Sequence, residues 1–135
     1  MAVSTAKGIF HCDIQRVWKM MTATENFLWR SDLDRIEILS LHQFVEYTKE
    51  GYATTFTVTA WDPCKRWEFD MENDNMKGHW TGILTARGNT TEVDFIEDVT
   101  AKKLLMKPFV KAYLKKQQAL YISDLTKALA AQTGK

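Results

Sequence analysis

The alternation of apolar and polar residues between positions 35 and 100 restricts the fold of this chain more than any other feature of its sequence. The hydrophobic period there is two, and clusters of Gly, Pro, Asn and Asp divide the region into segments. These are residues 35–41, 43–49, 52–61, 66–73, 76–87 and 90–100, and residues 3–12 form an earlier segment of the same kind. Alternating segments with short connections predict an antiparallel meander.

The same alternation predicts which strand residues face the interior. The clearest pattern is that of Trp67, Phe69 and Met71, which alternate with charged residues. In the last strand Glu97 shares a face with apolar residues, so it is the one acid predicted to point inward from the sheet. Trp61 falls on the opposite face of its strand from the apolar residues and is predicted to point outward.

Residues 101–131 are predicted to form a single amphipathic helix of seven to eight turns. At about 100° per residue, one broad face carries apolar side chains, namely Phe109, Val110, Tyr113, Leu114, Leu120, Tyr121 and Leu125. Lys111, Lys115 and Gln118 are predicted to lie opposite. Gln117 and Asp124 fall within the apolar face, where an unpaired polar group costs about 1–3 kcal/mol. Two explanations stay open: ordinary pairing with backbone or solvent, or a helix that faces a wet, ligand-binding cavity.

The order of the remaining elements completes an α+β fold. Asp13 is a predicted N-cap for a short helix at residues 14–22, and a second short helical segment is predicted at residues 24–30. A sheet with one apolar face needs a cover, and the C-terminal helix is the only element long enough to provide it. Sheet and helix are predicted to enclose a space with mainly aromatic walls: Trp29, Phe56, Trp67, Met71, Trp80, Phe109, Tyr113 and Tyr121.

Charge and cysteine usage narrow the class of protein. Residues 102–135 carry eight lysines and one acid, whereas the rest of the chain carries ten basic and sixteen acidic side chains. The lysines lie opposite the predicted apolar face, as on a solvated helix, so we expect no nucleic-acid partner and no stable membrane insertion. Cys12 and Cys64 lack metal-ligand spacing, and residues 1–10 lack an apolar signal core. We therefore expect one cytoplasmic domain spanning residues 1–135.

The sequence resembles the START-related, pollen-allergen-like superfamily in its polyketide cyclase, dehydrase and lipid-transport branch. The resemblance covers nearly the whole chain. It rests on the passage from strand to helix at residues 9–18, which ends in Val17-Trp18, on Trp67-Glu68-Phe69, on His79-Trp80-Thr81-Gly82, and on Tyr113, Gln117 and Tyr121 of the final helix. It implies a helix-grip fold, in which a curved antiparallel sheet of about seven strands wraps around a long C-terminal helix.

The resemblance also implies a cavity for an apolar or amphipathic small molecule such as a lipid, polyketide or aromatic metabolite. The pocket residues that it carries over are Trp67, Met71, Trp80, Tyr113, Gln117 and Tyr121. Aromatic and methionine side chains would supply apolar burial, and Gln117 with a tyrosine hydroxyl would fix the orientation of the ligand. No cofactor is expected, and the sequence leaves the oligomeric state open.

Three hypotheses about function follow: binding of a small molecule without chemistry, catalysis in the same cavity, and protein interaction. The scattered histidines and the absence of nucleophile motifs give no support to a metal site or to nucleophilic catalysis. A carboxyl at Glu97 in an apolar cavity would have a raised pKa and could move protons, which suits a cyclase or dehydratase; the alternative is that Glu97 simply pairs with a lysine. The third hypothesis is a co-chaperone-like interaction module, which predicts a collapsed cavity and an exposed apolar patch. The sequence shows no outward apolar surplus beyond Trp61 and Ile83.

Overall fold

A single antiparallel sheet of seven strands forms the body of the molecule. The structure, a computed structural model, describes residues 2–133 and the side chains of residues 2–131. The strands are β1 (Ala2–Phe10), β2 (Leu33–Ile38), β3 (Gln43–Thr48), β4 (Ala53–Asp62), β5 (Arg66–Glu72), β6 (Met76–Arg87) and β7 (Thr90–Ala101). Their order in the sheet is β1-β7-β6-β5-β4-β3-β2. The predicted meander is confirmed, with β1 added beside β7.

A short helix, α1 (Ile14–Thr22), follows β1 as predicted. The carboxylate of Asp13 caps it by accepting a 3.0 Å hydrogen bond from the backbone N–H of Arg16. The second short helix predicted at residues 24–30 is not formed, and residues 23–32 make successive turns instead. Seven residues gain too few backbone hydrogen bonds to offset the cost of nucleating a helix.

The C-terminal helix begins later than predicted. Residue Ala101 is still part of β7, where it pairs with Met76. A 3₁₀ helix (Leu104–Phe109) follows, and the regular helix α2 spans Val110–Thr133. Pro108 has no N–H to donate and its ring clashes with the preceding turn, so it fits the first turn of an α-helix but not the interior of the long helix that was predicted.

The buried face of α2 is rotated relative to the prediction. Its buried side chains follow helical spacing, at Val110, Leu114, Gln118, Leu125 and Leu129, with Asp124 beside them. Gln118, predicted to lie on the polar face, is therefore at the centre of the packed face. Phe109 and Tyr113, which helped to define the predicted face, are 69% and 46% exposed.

A bulge in β4 corrects the prediction for Trp61. The pairing of β4 with β5 shifts between Val58 and Ala60, and beyond the shift Trp61 lies directly opposite Trp67. Directly opposed residues share a face of the sheet, so the bulge turns Trp61 toward the interior face that Trp67 occupies. Its ring contacts that of Trp18 with centroids 5.2 Å apart.

Apolar side chains are more exposed than the sequence predicted. Leu104 and Leu105 of the 3₁₀ helix are 76% and 87% exposed, and Leu28 and Leu41 in turns are exposed as well. The prediction placed Leu104 and Leu105 in the long C-terminal helix that covers the sheet. In the structure they belong to the 3₁₀ helix instead, and their side chains face solvent. No described helix has the length and apolar character needed to cross a membrane.

Candidate ligand cavity between the sheet and the C-terminal helix

The interior face of the sheet and α2 enclose a cavity of about 170 Å³. Eight of the nine predicted ligand-binding residues line it: Trp29, Phe56, Trp67, Met71, Trp80, Tyr113, Gln117 and Tyr121. Phe109 does not line it. Its side chain belongs to the 3₁₀ helix and faces solvent, because α2 starts only at Val110.

Aromatic rings form a large part of the cavity wall, and several of them pack on other rings. Phe69 and Trp80 stack with centroids 4.6 Å apart, and Phe44 and Phe56 stack at 5.1 Å. The indole N–H of Trp67 is buried and has no hydrogen-bond partner within the described part of the chain. Because that nitrogen has almost no accessible surface, it is not offered to the cavity. Trp67 therefore provides ring surface to the cavity rather than a donor.

Glu97 is the deepest acid that faces the cavity. It lies on β7 directly between Ser4 of β1 and Trp80 of β6, and it is 8% exposed. Burial raises the pKa of this carboxyl to about 7, against smaller opposing effects of a hydrogen bond with Gln118 and the charge of Arg30. The expected alternative, pairing with a lysine, is not found among residues 2–131.

A half-buried charge cluster forms a second polar part of the wall. The guanidinium of Arg30 donates two hydrogen bonds of 3.3 Å to Asp32 and one of 3.4 Å to Glu46. It also lies over the rings of Tyr121 and Trp29, at 5.0 and 5.8 Å from their centroids. Such a cation is held by both charge and ring faces.

Burial dominates the electrostatics of this cluster. Burial opposes the charged form of Arg30, but Glu46 and Asp32 outweigh it and raise the pKa of the guanidinium. Burial also raises the pKa of Glu46, and the nearby Arg30 only partly offsets this. For Tyr121, burial raises the pKa of the hydroxyl well above its ordinary value. The cluster is thus held in a low-dielectric part of the wall.

Sequence reasoning missed this cluster, although one of its members was detectable. Glu46 lies two positions after Phe44 on β3, so both side chains are on the same face of the sheet. That is the interior face, because Phe44 is buried there opposite Phe56. The same alternation that identified Glu97 would have found it. Arg30 and Asp32 lie in the turns before β2, where no periodicity exists to predict a direction.

The two polar residues singled out on α2 have different roles. Asp124 is buried and accepts hydrogen bonds of 2.8 Å from both the backbone N–H and the hydroxyl of Ser31. Ordinary pairing therefore explains it. Gln117 is half-buried and lines the cavity. Tyr113 also lines the cavity while remaining partly exposed, and burial together with nearby acids raises the pKa of its hydroxyl.

The possible metal ligands and the two cysteines were also located in the structure. No group of three or more His, Cys, Asp or Glu side chains among the described residues is arranged to hold a metal ion. Cys12 is buried, Cys64 is half-buried, and both are free thiols. Burial raises the pKa of Cys12, which makes its reactive thiolate form less accessible.

The chain matches no protein-family model and no curated protein, but solved structures share its fold. A START superfamily protein from Mycobacterium smegmatis superposes with a TM-score of 0.89 at 12% identity, over 96% of this chain and 98% of the other. A conserved protein from Geobacillus kaustophilus gives a TM-score of 0.82 at 11% identity, over 96% of each chain.

A third similar structure is DynU16, a putative protein in the dynemicin biosynthetic locus. It superposes with a TM-score of 0.78 at 14% identity, and the match covers 98% of this chain but 48% of DynU16. The chain thus spans about half the length of that protein. At these identities the likeness shows the fold alone, which is the helix-grip fold of START-related proteins. The fold predicted from the sequence is confirmed.

Proposed function

We propose that the chain binds a small apolar or amphipathic molecule in the cavity between the sheet and α2. The observation that carries the proposal is an aromatic cavity of about 170 Å³ into which a few polar side chains converge. Apolar walls with a small number of placed polar groups are typical of ligand sites. Gln117 and the hydroxyl of Tyr113 would orient the ligand, because both line the cavity without being fully buried.

The size of the cavity limits the ligand. An apolar cavity of roughly 150 Å³ can hold benzene, whereas drug-sized ligands occupy roughly 300–1,000 Å³. A volume of about 170 Å³ therefore suits a molecule of one or two rings. A lipid or polyketide chain would require α2 and the turns at residues 23–32 to move away from the sheet.

Two measurements test this function. Native mass spectrometry of freshly purified protein, followed by a denaturing run, would identify a retained small molecule. Isothermal titration with indole would measure binding directly. In Met71→Trp the added ring fills the cavity and should weaken indole binding at least tenfold, whereas Ile96→Trp on the outer face of β7 should not. Equal affinity for indole in both variants would contradict the proposed site.

A second candidate function is proton transfer by Glu97. It is supported by a buried carboxyl that faces the cavity and whose pKa, raised to about 7, matches a general acid or base near neutral pH. Exchange of the α-protons of acetophenone for deuterium, followed by NMR, would test it. We expect Glu97→Gln to slow exchange by about 10²–10⁴-fold while binding is retained. A pure carrier would show no catalysed exchange in either protein.

A further inference from the structure

We propose that the cavity prefers an aromatic molecule carrying a protonated amine over a neutral or anionic molecule of the same size. This rests on the proposed function, because it assigns the charge of a ligand for the same cavity. The observation behind it is a charge imbalance in the wall. The charged residues that line the cavity are four acids and one base: Asp32, Glu46, Glu72, Glu97 and Arg30.

Arg30 is not available to an anionic ligand. Three of its nitrogens already donate to Asp32 and Glu46, and its planar group lies over the ring of Tyr121. With both carboxylates charged, the three side chains together carry one net negative charge. A carboxylate ligand would have to compete with the carboxylates of Asp32 and Glu46 for the same donors, and no other base among the described residues lines the cavity.

The two remaining acids, Glu72 and Glu97, differ in whether their carboxylates already have an ion-pair partner. Glu72 is at the surface and pairs with Lys102 at 2.7 Å, so its charge is already compensated. Glu97 faces the cavity, and no ion-pair partner for it is found among residues 2–131. A protonated amine would supply the cation that this buried carboxylate lacks.

The groups around Glu97 are mostly uncharged. The groups near it are the Ser4 hydroxyl on β1, Trp80 on β6, Gln118 and Tyr113 on α2, and Arg30 at longer range from the turns before β2. Ser4, Gln118 and Trp80 carry no charge, so none of them repels a cation or compensates the carboxylate. Among the described residues Arg30 is the opposing charge that acts on Glu97, and Asp32 and Glu46 compensate it.

The charge state of Glu97 gives the proposal a pH signature. With a pKa of about 7, its carboxylate fraction rises about tenfold between pH 6 and pH 8, while a benzylamine probe stays protonated. The affinity for benzylamine should therefore rise toward a tenfold limit over this range. Glu46 also has a raised pKa, so the contribution of Glu97 must be isolated by substitution.

Isothermal titration with three probes of matched size tests the proposal: benzylamine, benzyl alcohol and benzoate, each at pH 6 and pH 8. We expect benzylamine to bind most tightly at pH 8, benzyl alcohol to be insensitive to pH, and benzoate to be weakest. In Glu97→Gln the ratio of benzylamine to benzyl alcohol affinity should lose most of its pH dependence. Glu92→Gln removes the same group from the outer side of β7 and should keep that dependence.

The outcomes separate the two proposals. If benzyl alcohol binds and benzoate equals or exceeds benzylamine, the charge preference is wrong and the ligand cavity stands. The charge preference is also wrong if the ratio of benzylamine to benzyl alcohol affinity does not depend on pH in the wild type. It is wrong as well if the pH dependence of that ratio is unchanged in a folded Glu97→Gln protein. If none of the three probes binds but indole does, the charge preference is wrong and the ligand cavity stands; if indole fails to bind as well, both proposals fail. Circular dichroism and a melting curve establish that each variant is folded.

Discussion

The hydroxyl of Ser4 donates a hydrogen bond of 2.8 Å to Oε1 of Gln118, and Nε2 of Gln118 donates at 3.0 Å to the backbone carbonyl of Ser4. This reciprocal pair joins the first strand to the last helix, and both residues are buried. It therefore fixes the position of α2 on the sheet beside Glu97. Lys115 of α2 also donates to the backbone carbonyl of Thr5 on β1, so the pair is the buried part of the polar contact between these two elements.

Replacing Gln118 by Met should destabilise the protein by about 1–3 kcal/mol, because it leaves the buried hydroxyl and carbonyl of Ser4 without their partner. Urea denaturation measures the loss. Gln117→Met, one position along the same helix, leaves no such group unpaired and should change the free energy of unfolding by less than about 0.5 kcal/mol.

A double-mutant cycle checks that the effect arises from this pair. Combining Ser4→Ala with Gln118→Met removes the unpaired hydroxyl. The double variant should therefore lose less free energy of unfolding than the two single variants lose together. Strict additivity of the two changes would show that the side chains do not interact.

The raised pKa of Glu97 predicts that ionisation of this residue opposes folding. In the unfolded chain the carboxyl loses its proton near 4.5, whereas in the folded protein it does so near 7. Between these values the folded state holds more protons, so stability falls as the pH rises and levels off above 7. The full effect is about 3 kcal/mol.

Glu97→Gln should therefore match the wild type below pH 4.5 and become progressively more stable than it up to pH 8. Urea denaturation at several pH values measures the difference. Glu92→Gln, on the outer face of the same strand, should show no gain of this kind. A constant difference between Glu97→Gln and the wild type across the range would mean that Glu97 ionises equally in both states.

The parts of the fold set by period-two alternation were predictable from the sequence. The bounds of β6 agree with the prediction exactly at both ends, and Glu97 faces the interior because its neighbours on β7 do. Each strand residue has only two possible directions, so one buried neighbour two positions away is enough to assign it where no bulge intervenes, as one does before Trp61.

Helical faces and turns were harder to predict. On α2 the presence of Phe109 and Tyr113 rotated the predicted face and placed Gln118 in solvent, because aromatic content alone does not indicate burial at a helix end. Arg30 could not be placed at all. Its position depends on Glu46 and Tyr121, which are distant in sequence and come together only when the sheet and α2 pack.

Replacing Arg30 by Met should cost about 3–5 kcal/mol, because it leaves Asp32 and Glu46 in the wall without their cation. Since burial already raises the pKa of Glu46 against the effect of Arg30, removing the cation should raise it further. The loss should therefore shrink toward acidic pH as Glu46 takes up a proton. Thermal unfolding at pH 5 and pH 8 measures this difference.

A second substitution separates charge from packing. Arg30→Met combined with Glu46→Gln removes one stranded carboxylate and should recover part of the stability lost at pH 8. No recovery would mean that the guanidinium acts mainly by packing on the rings of Tyr121 and Trp29.

On the outer face of the sheet, His79 is held between two carboxylates. Its Nδ1 lies 2.7 Å from Asp70 and its Nε2 lies 2.7 Å from Glu68. A neutral imidazole can donate only one of these bonds, whereas the protonated ring donates both. Burial opposes protonation, but the two hydrogen bonds outweigh it and raise the pKa of His79 above 6.5. The stabilisation is thus complete below pH 6.5 and lost as the pH rises through the folded value.

NMR titration of the His79 ring should give a pKa above that of a free histidine, and Glu68→Gln should lower it by removing one acceptor. Asp98→Asn provides the matched control. Asp98 lies opposite His79 on β7, but no hydrogen bond of its carboxylate to the ring is found among the described residues, so its removal should have the smaller effect. A His79 that titrates below 6.5 in the wild type would show that burial outweighs the two carboxylates, and stability would then rise with pH across this range.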